Sequence, residues 1–301
     1  MNSTAEIEAF VAVARQQGVT RAAAHLNRSQ PAITRRIRQL EKALGAPLIE
    51  RGPGGAVLSE AGRAFLPHAE AALAAIRDGA EAVAALSRDD AGVVSLAIVG
   101  TLADSPLVAH LQAYLRRHPD LRLDLRTANS QEVSAQVRRG EVALGLRYFA
   151  DAGADLVSQD IGAEPLILVC AADHRFAGKR PRPLSQLGDE RWLAFPAGRN
   201  RPPSSGHQVE NQLAKAGLGD AEMLTVDSLT AQKRLVEAGF GIALLPRSAI
   251  REELRLGTLA TIAAPSLAAM QPVCAVHRRN GYLNGACRAL LDDLRSAKIA
   301  F

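Results

Sequence analysis

Apolar residues recur at helical spacing near the start of the chain. Residues 4–14 predict an amphipathic helix, because positions three and four apart are apolar: Ile7, Phe10, Val11 and Ala14. Residues 21–26 predict a short second helix, which Thr20 can cap. A third helix is predicted from its cap Ser29 to Leu44, because Gly45 then provides a typical C-terminal stop.

Two short apolar runs follow, at residues 47–51 and 56–58. The segment that joins them, Gly52-Pro53-Gly54-Gly55, consists of residues that form turns, so the runs predict a small hairpin with an exposed tip. Three helices followed by such a hairpin make a winged helix-turn-helix. We assign residues 1–58 to this all-α module with its small β wing.

A longer helix is predicted from Ser59 to about residue 87. Pro67 lies inside it and should bend the helix or delay its start. The helix carries one apolar stripe, at Leu66, Leu73, Ile76, Ala80 and Val83. Because a lone helix cannot bury such a stripe, we expect it to pair with a second chain. Residues 59–91 are therefore interpreted as a linker and dimerisation helix that ends in a polar hinge.

From residue 93 onward, short apolar runs alternate with helical patterns. Strands are predicted at 93–99, 121–127 and 142–147, with helices at 106–117 and 130–139 between them. This β-α-β-α-β order is typical of a parallel sheet that has helices on its faces.

A second set of strands and helices begins at residue 165, and a strand at 273–277 with a closing helix then returns to the first set. The chain would thus cross twice between two lobes and leave a cleft between them. We predict a two-lobed α/β effector domain, like a periplasmic binding protein, over 92–301. Its lobes are assigned as follows: lobe I at about 92–161 and 270–301, and lobe II at about 162–269.

Positive charge is concentrated in the winged module. The whole chain carries 36 Lys and Arg against 31 Asp and Glu, a net charge of +5. Between Arg15 and Arg51, eight Arg and Lys face only two Glu, so this segment alone carries +6. A basic module on a nearly neutral body indicates a polyanionic partner for the module. A solvated charged face would give the same count, so charge alone leaves both interpretations open.

Residues 7–63 resemble the DNA-binding domain of LysR-type transcriptional regulators, in the segments AFVAVA, TRAA, SQPA, RRIRQLEKALGAPL, ER and LSEAGR. The resemblance extends to the family's effector domain in GVVSLAIVGTL, EVALGLRY, EPLILVCAADHRFA and LVEAGFGIALLP. The segment QQGVTRAA departs from the family pattern, since it lacks a residue and an aromatic between Gly and Thr. The resemblance implies a homo-oligomer, either a dimer or a dimer of dimers (a homotetramer), that binds an interrupted dyad in double-stranded DNA, contacts RNA polymerase and responds to a small-molecule effector.

The third helix has one apolar side, Ile33, Ile37, Leu40 and Leu44, which we assign to the core. The opposite side presents a hydroxyl and cations, and arginine there can bind guanine bidentately in a major groove. The resemblance places contacts at Gln30, Pro31, Thr34 and Arg35, and it makes Arg51 similar to a minor-groove arginine; a structural salt bridge is the alternative for Arg51. The candidate DNA-binding residues are Ser29, Gln30, Pro31, Thr34, Arg35, Arg38 and Arg51.

The cleft is the candidate effector site, because ligands of open α/β sheets bind beyond the carboxyl ends of strands. Helix starts near Ser105 and Ser130 would offer N–H groups to an anion, with Arg147 as counter-charge and Arg199 or Arg201 as a cation from the other lobe. The resemblance places effector contacts near Thr101, Ser130, Arg147, Pro196 and Asp227-Ser228. The candidate effector-binding residues are Thr101, Ser130, Arg147, Pro196, Arg199, Asp227 and Ser228. Helix capping is the alternative role for the hydroxyls, and an ion pair with Glu141 or Asp124 is the alternative for Arg147.

Other chemistry finds little support in the sequence. No secretory signal, apolar run of membrane length, metal-binding histidine spacing, GxSxG, Walker or GxGxxG motif is present. We therefore expect a cytoplasmic protein without metal, cofactor or catalytic residues. Three widely spaced cysteines are interpreted as buried and inert, with a redox sensor as the alternative. A solute-binding protein or an enzyme on the same two-lobed fold is the rival interpretation, and only the cleft favours it.

Overall fold

The computed structural model describes residues 3–52, 55–86, 92–178, 180–181, 183–196, 205–215, 217–267, 269–297, 299 and 301. The chain divides into two compact units. The first contains residues up to 88 with the short segments 138–141 and 280–282, and the second contains the remainder. No helix in the described ranges has the length and apolar character that crossing a membrane requires.

The first unit has the elements that the periodicity predicts. In chain order these are α1 (Thr4–Gln16), α2 (Val19–His25), α3 (Gln30–Leu44), β1 (Ile49–Gly52), β2 (Gly55–Leu58) and α4 (Glu60–Leu86). Strands β1 and β2 pair antiparallel as the wing. Ser59 caps α4, since its Oγ accepts the N–H of Gly62 at 2.9 Å and donates to Pro47 O at 2.6 Å. Pro67 therefore does not delay the start of α4. The winged helix-turn-helix prediction is confirmed.

A small apolar core holds the helices of this unit together. Phe10, Ile33 and Leu40 are fully buried in it, and the Phe10 ring lies 5.6 Å from the ring of Phe65 in α4. Leu44 is exposed, so its assignment to the core side of α3 is wrong. The reason is its place at the last residue of α3, beyond the reach of α1 and α2.

The apolar stripe of α4 has two different parts. Leu66 and Leu73 pack against the core of their own unit. Ile76 and Val83 are 52% and 65% exposed. The expectation that the whole stripe faces a second chain is therefore wrong for Leu66 and Leu73, because α1 and the wing already cover that part of the helix.

The second unit contains nine strands and six helices among its described residues. They are β3 (Val93–Val99), α5 (Pro106–Arg117), β4 (Arg122–Ala128), α6 (Ser130–Arg138), β5 (Leu144–Tyr148), β6 (Leu156–Ala171), β7 (Trp192–Ala194), α7 (Ser205–Lys215), β8 (Met223–Thr225), α8 (Leu229–Glu237), β9 (Ile242–Pro246), α9 (Arg251–Leu256), β10 (Leu259–Thr261), β11 (Ala269–Arg278) and α10 (Gly285–Ser296).

One sheet runs through both lobes of this unit, in the order β4-β3-β5-β11-β6-β9-β7-β8, with β10 beside β6. The β3, β4 and β5 pairings are parallel, as are those of β7 with β8 and β9. The two long strands β6 and β11 pair antiparallel at the centre. Strand β11 also pairs with β5 in lobe I, and β6 with β9 in lobe II. These strands are the two predicted crossings, and the two-lobed α/β fold is confirmed.

Candidate functional site

The outer face of α3 is polar and accessible. Gln30, Pro31, Arg35 and Arg38 are exposed, whereas Thr34 is half-buried. The Thr34 hydroxyl donates to the Gln30 carbonyl oxygen at 3.0 Å, so its proton is used inside the helix and its methyl group is left for an apolar contact. The inner face of α3 packs on the core of the first unit. This arrangement presents a continuous polar surface on one rigid helix.

Charge on this face is not neutralised. Neither Arg35 nor Arg38 forms an ion pair with a residue that the structure describes. The nearby acid Glu41 is used elsewhere, since its Oε1 accepts the N–H groups of Leu48 at 2.8 Å and Ile49 at 3.2 Å. Glu41 therefore fastens α3 to the start of the wing, and the arginines keep their charge for a polyanion.

Two further candidates, Ser29 and Arg51, lie outside α3. Ser29 occupies the N-cap position but its side chain makes no capping hydrogen bond, so the predicted capping by its hydroxyl is wrong. The hydroxyl is instead exposed beside the positive end of the helix. Arg51 pairs through its backbone with Ala56 in the wing. The side chain of Arg51 lies outside the described part of the chain.

A cavity of about 570 Å³ opens in the second unit. Thr101, Ser130, Pro196 and Asp227 all line it, although they come from four separate places in the sequence. Thr101 follows β3, and Ser130 is the first residue of α6 after β4. The cavity is of the size that small-molecule sites usually have.

Arg147 departs from its predicted place. It is not among the residues that line the cavity, and its side chain is only 7% exposed. Its Nη1 donates to Ser134 Oγ and to Asp151 Oδ2, both at 2.6 Å. The assignment of Arg147 as the counter-charge of an effector is thereby corrected, because the guanidinium is committed to Asp151 inside lobe I.

The other predicted residues fall into two groups. Ser228 and Ser105 are not among the residues that line the cavity. Both cap helices instead: Ser228 Oγ accepts from Ala231 N at 3.3 Å, and Ser105 Oγ accepts from Leu107 N at 3.3 Å. At the helix start near Ser105, Asp104 lines the cavity, whereas the Ser105 hydroxyl is used as the cap. Arg199 and Arg201 lie outside the described residues.

A buried carboxylate that sequence reasoning missed lies behind the cavity. Glu164 in β6 is fully buried. It accepts hydrogen bonds from Tyr148 Oη at 2.8 Å, from Ser248 N at 3.2 Å and from the Ser248 hydroxyl. Burial, together with the nearby negative charge of Glu164, raises the pKa of Tyr148, so its phenol stays a donor. A lone acid at the start of an apolar strand, in EPLILVC, is the only signal that could have indicated it.

The three cysteines are buried. Burial raises the pKa of the Cys170 and Cys274 thiols to about 11, so both remain neutral at physiological pH. We expect the folded protein at pH 8 to react with a thiol reagent at least about a hundredfold more slowly than free cysteine, because only the thiolate attacks. An aromatic disulfide reagent releases a coloured thiol when it reacts with a cysteine, and the absorbance of that thiol measures the reaction rate. The urea-unfolded chain is the control. Rapid reaction in the folded state would support the redox-sensor alternative instead.

Both units match known family models. Residues 4–63 match the model described as bacterial regulatory helix-turn-helix protein, lysR family. Residues 87–298 match the LysR substrate binding domain.

Relatives and solved structures cover almost the whole chain. The HTH-type transcriptional regulator CbbR of Rhodospirillum rubrum is 28% identical over 295 residues, which are 97% of this chain and 95% of that protein. CbbR of Cereibacter sphaeroides is 30% identical over 302 residues, covering 98% of this chain and 95% of that protein. The crystal structure of CbnR, a LysR family transcriptional regulator, is similar with a TM-score of 0.69 at 25% identity, covering 98% and 99% of the two chains. Full-length CbnR complexed with its target DNA gives a TM-score of 0.66 at 26% identity, with the same coverage.

Proposed function

Since the chain belongs to the LysR family of bacterial transcriptional regulators, we propose that it reads operator DNA with the outer face of α3 and senses a small organic acid in the cavity of the second unit. The chain is a DNA-binding regulator with an effector-binding domain. The observation that carries the DNA site is the pair of exposed, uncompensated arginines on α3. The rival interpretation, a solute-binding protein or an enzyme, does not account for the winged unit.

Within the DNA site, each side chain has a distinct task. Arg35 is the base reader, because a guanidinium can bind guanine O6 and N7 bidentately. Gln30 at the start of the helix and Arg38 near its middle contact bases and phosphates, and Ser29 binds a phosphate at the positive end of the helix. Pro31 and the Thr34 methyl make apolar contacts in the groove. Arg51 enters the minor groove from the wing.

Arg35→Ala should lower affinity for the operator by about 1–3 kcal/mol and lower affinity for random DNA much less. Fluorescence anisotropy on both DNAs, at one fixed salt concentration, measures the two losses. Lys42→Ala is the control. It also removes one positive charge, at the far end of α3, and should lower the affinity for operator and for random DNA by the same factor. Equal losses on both DNAs for Arg35→Ala would make it a phosphate contact.

The start of α6 is the proposed binding place for the effector carboxylate. Ser130 and Gln131 line the cavity, and the first N–H groups of a helix have no partner within the helix. The positive end of α6 adds to their attraction for an anion. Phe195, Pro196 and Leu166 supply apolar wall for the carbon skeleton.

Ser130→Pro should weaken binding of a cavity-bound carboxylate about tenfold, whereas Ser130→Ala should leave it nearly unchanged. Proline removes the N–H at the first helical position, where its ring is tolerated, and alanine keeps that N–H. Calorimetry of the full chain with a panel of metabolic acids gives the affinities. Equal binding by the two variants would contradict the carboxylate position at α6.

We further propose how binding reaches the promoter. An effector that fits one opening of the two lobes better than another shifts the population of the two states, and only that difference in affinity does regulatory work. The assembly would be a dimer through α4 or a dimer of dimers, which acts in the cytoplasm and contacts RNA polymerase. We propose no catalytic activity, a view supported by the transcriptional regulators among its relatives.

A further inference from the structure

We infer that the effector carries an O–H or N–H donor in addition to its acid group, and that Gln232 in α8 selects for this donor. The inference rests on the proposed function, since it concerns the same cavity.

Gln232 is a buried amide with one unused polar atom. The residue is 1% exposed and lines the cavity. Its Nε2 donates to the Val226 carbonyl oxygen at 2.7 Å. Because a carbonyl oxygen only accepts, this bond fixes which way the amide is turned. The Oε1 is therefore the acceptor that remains, and no residue that the structure describes donates a hydrogen bond to it.

A buried acceptor without a partner is costly. Leaving such a group unpaired forfeits the hydrogen bond that water would make, so buried amide oxygens are nearly always satisfied. Because Gln232 lines the cavity, a ligand O–H or N–H that reaches this covered oxygen supplies the missing bond. A ligand with a methyl or a second acceptor there leaves the oxygen unpaired, and sites of this kind discriminate strongly against such analogues.

The charges of the cavity point to the same ligand chemistry. Asp104 and Asp227 line it, and the described lining residues include no Lys, Arg or His. Asp227 directly follows Val226, whose carbonyl holds the Gln232 amide. The two carboxylates repel every acid group of a ligand and attract a hydroxyl or an ammonium group. The N–H groups at the start of α6 offset this repulsion for one acid group. A hydroxy acid or an amino acid thus fits the cavity better than a dicarboxylic acid does.

Matched sets of carboxylates test the requirement for a donor. One set is propanoate with its 3-hydroxy, 3-amino and 3-methoxy derivatives, and the other is benzoate with hydroxy, aminomethyl and methoxy substituents at each ring position. Calorimetry on the full chain should show the best hydroxyl or ammonium member binding at least about tenfold more tightly than its unsubstituted and methoxy counterparts. The methoxy member is informative because it keeps the oxygen but lacks the proton. Comparison of hydroxyl with ammonium members identifies the donor.

Gln232→Met should remove this discrimination while retaining the weak binding of the unsubstituted acids. Gln136→Met is the matched control, since Gln136 also has a buried amide oxygen to which none of the described residues donates, but it does not line the cavity. It should discriminate as the wild type does. If Gln232→Met does not fold, the wild-type comparison alone still tests the donor requirement.

The outcomes separate the inference from the proposed function. If the wild type binds the unsubstituted acids as tightly as their hydroxyl and ammonium counterparts, the donor requirement is wrong. The proposed binding of an acid in the cavity then still stands. Discrimination that survives in Gln232→Met overturns the assignment to Gln232. Absence of binding by every acid in both sets overturns the proposed acid effector, and the donor requirement falls with it.

Discussion

Arg147→Ala should lower the free energy of unfolding of the second unit by about 3–5 kcal/mol, because it breaks a nearly buried ion pair by removing one of its two partners. The Arg147 Nη1 lies 2.6 Å from Asp151 Oδ2, and both side chains are nearly buried. The same substitution also removes the hydrogen bond to Ser134 at the inner side of α6. A loss of this size would be a large part of the stability of a typical domain.

Urea denaturation followed by tryptophan fluorescence measures this loss selectively. Trp192 is the single tryptophan of the chain and is fully buried in lobe II, so its emission reports on the second unit rather than on the winged unit. The double variant Arg147→Met with Asp151→Leu is the control, since it replaces both partners of the ion pair with apolar side chains and should recover much of the stability. If Arg147→Ala instead kept its stability and lost its response to the effector, the counter-charge role would be restored.

Local pattern was enough to predict the winged unit. Helical spacing in α1 and α3, the proline at the start of α3 and the glycine-rich hairpin each depend on neighbours within a few residues. The errors in this unit are at places where tertiary contacts decide. Leu44 has the right spacing for the core side of α3 but lies past the end of the core. Leu73 packs against the core of the winged unit, although its spacing alone would equally suit an interface between two chains.

The effector cavity was predictable only in part. Thr101 and Ser130 follow parallel strands, and the topology of such sheets brings strand ends to one edge. Glu164 and Ser248 are 84 residues apart, and no spacing in the sequence indicates that they meet. The strand that carries Glu164 begins at Leu156, nine residues before its predicted start, because the stretch before 165 alternates too weakly to indicate a strand. Gln232 was missed because its role depends on which of its two polar atoms the fold has already used.

Ile76→Asp and Val83→Asp should each weaken self-association at least about a hundredfold. Both residues are among the exposed large apolar side chains of the described chain, and they lie two turns apart on α4. If this part of α4 packs against the same helix of a second copy, each substitution places two carboxylates at one apolar seam, where they are desolvated and repel each other. Analytical ultracentrifugation at micromolar concentration measures the effect.

Two control variants define what this result means. Leu256→Asp changes an equally exposed apolar residue of α9, outside α4, and should leave assembly intact. Leu73→Asp should unfold the winged unit instead, because Leu73 packs against its core. A wild-type protein that sediments as a monomer would refute the seam altogether.

DNA binding by the seam variants follows from symmetry. A dimer of helix-turn-helix modules binds two half-sites at once, so its operator affinity depends on the two modules being joined. Separated copies of Ile76→Asp should therefore lose most operator affinity while each module keeps the charge on its α3 and its weak affinity for random DNA. This pattern is the opposite of that expected for a damaged recognition helix, where the chain stays assembled and sequence preference is lost. Sedimentation and anisotropy on the same samples thus distinguish assembly from recognition.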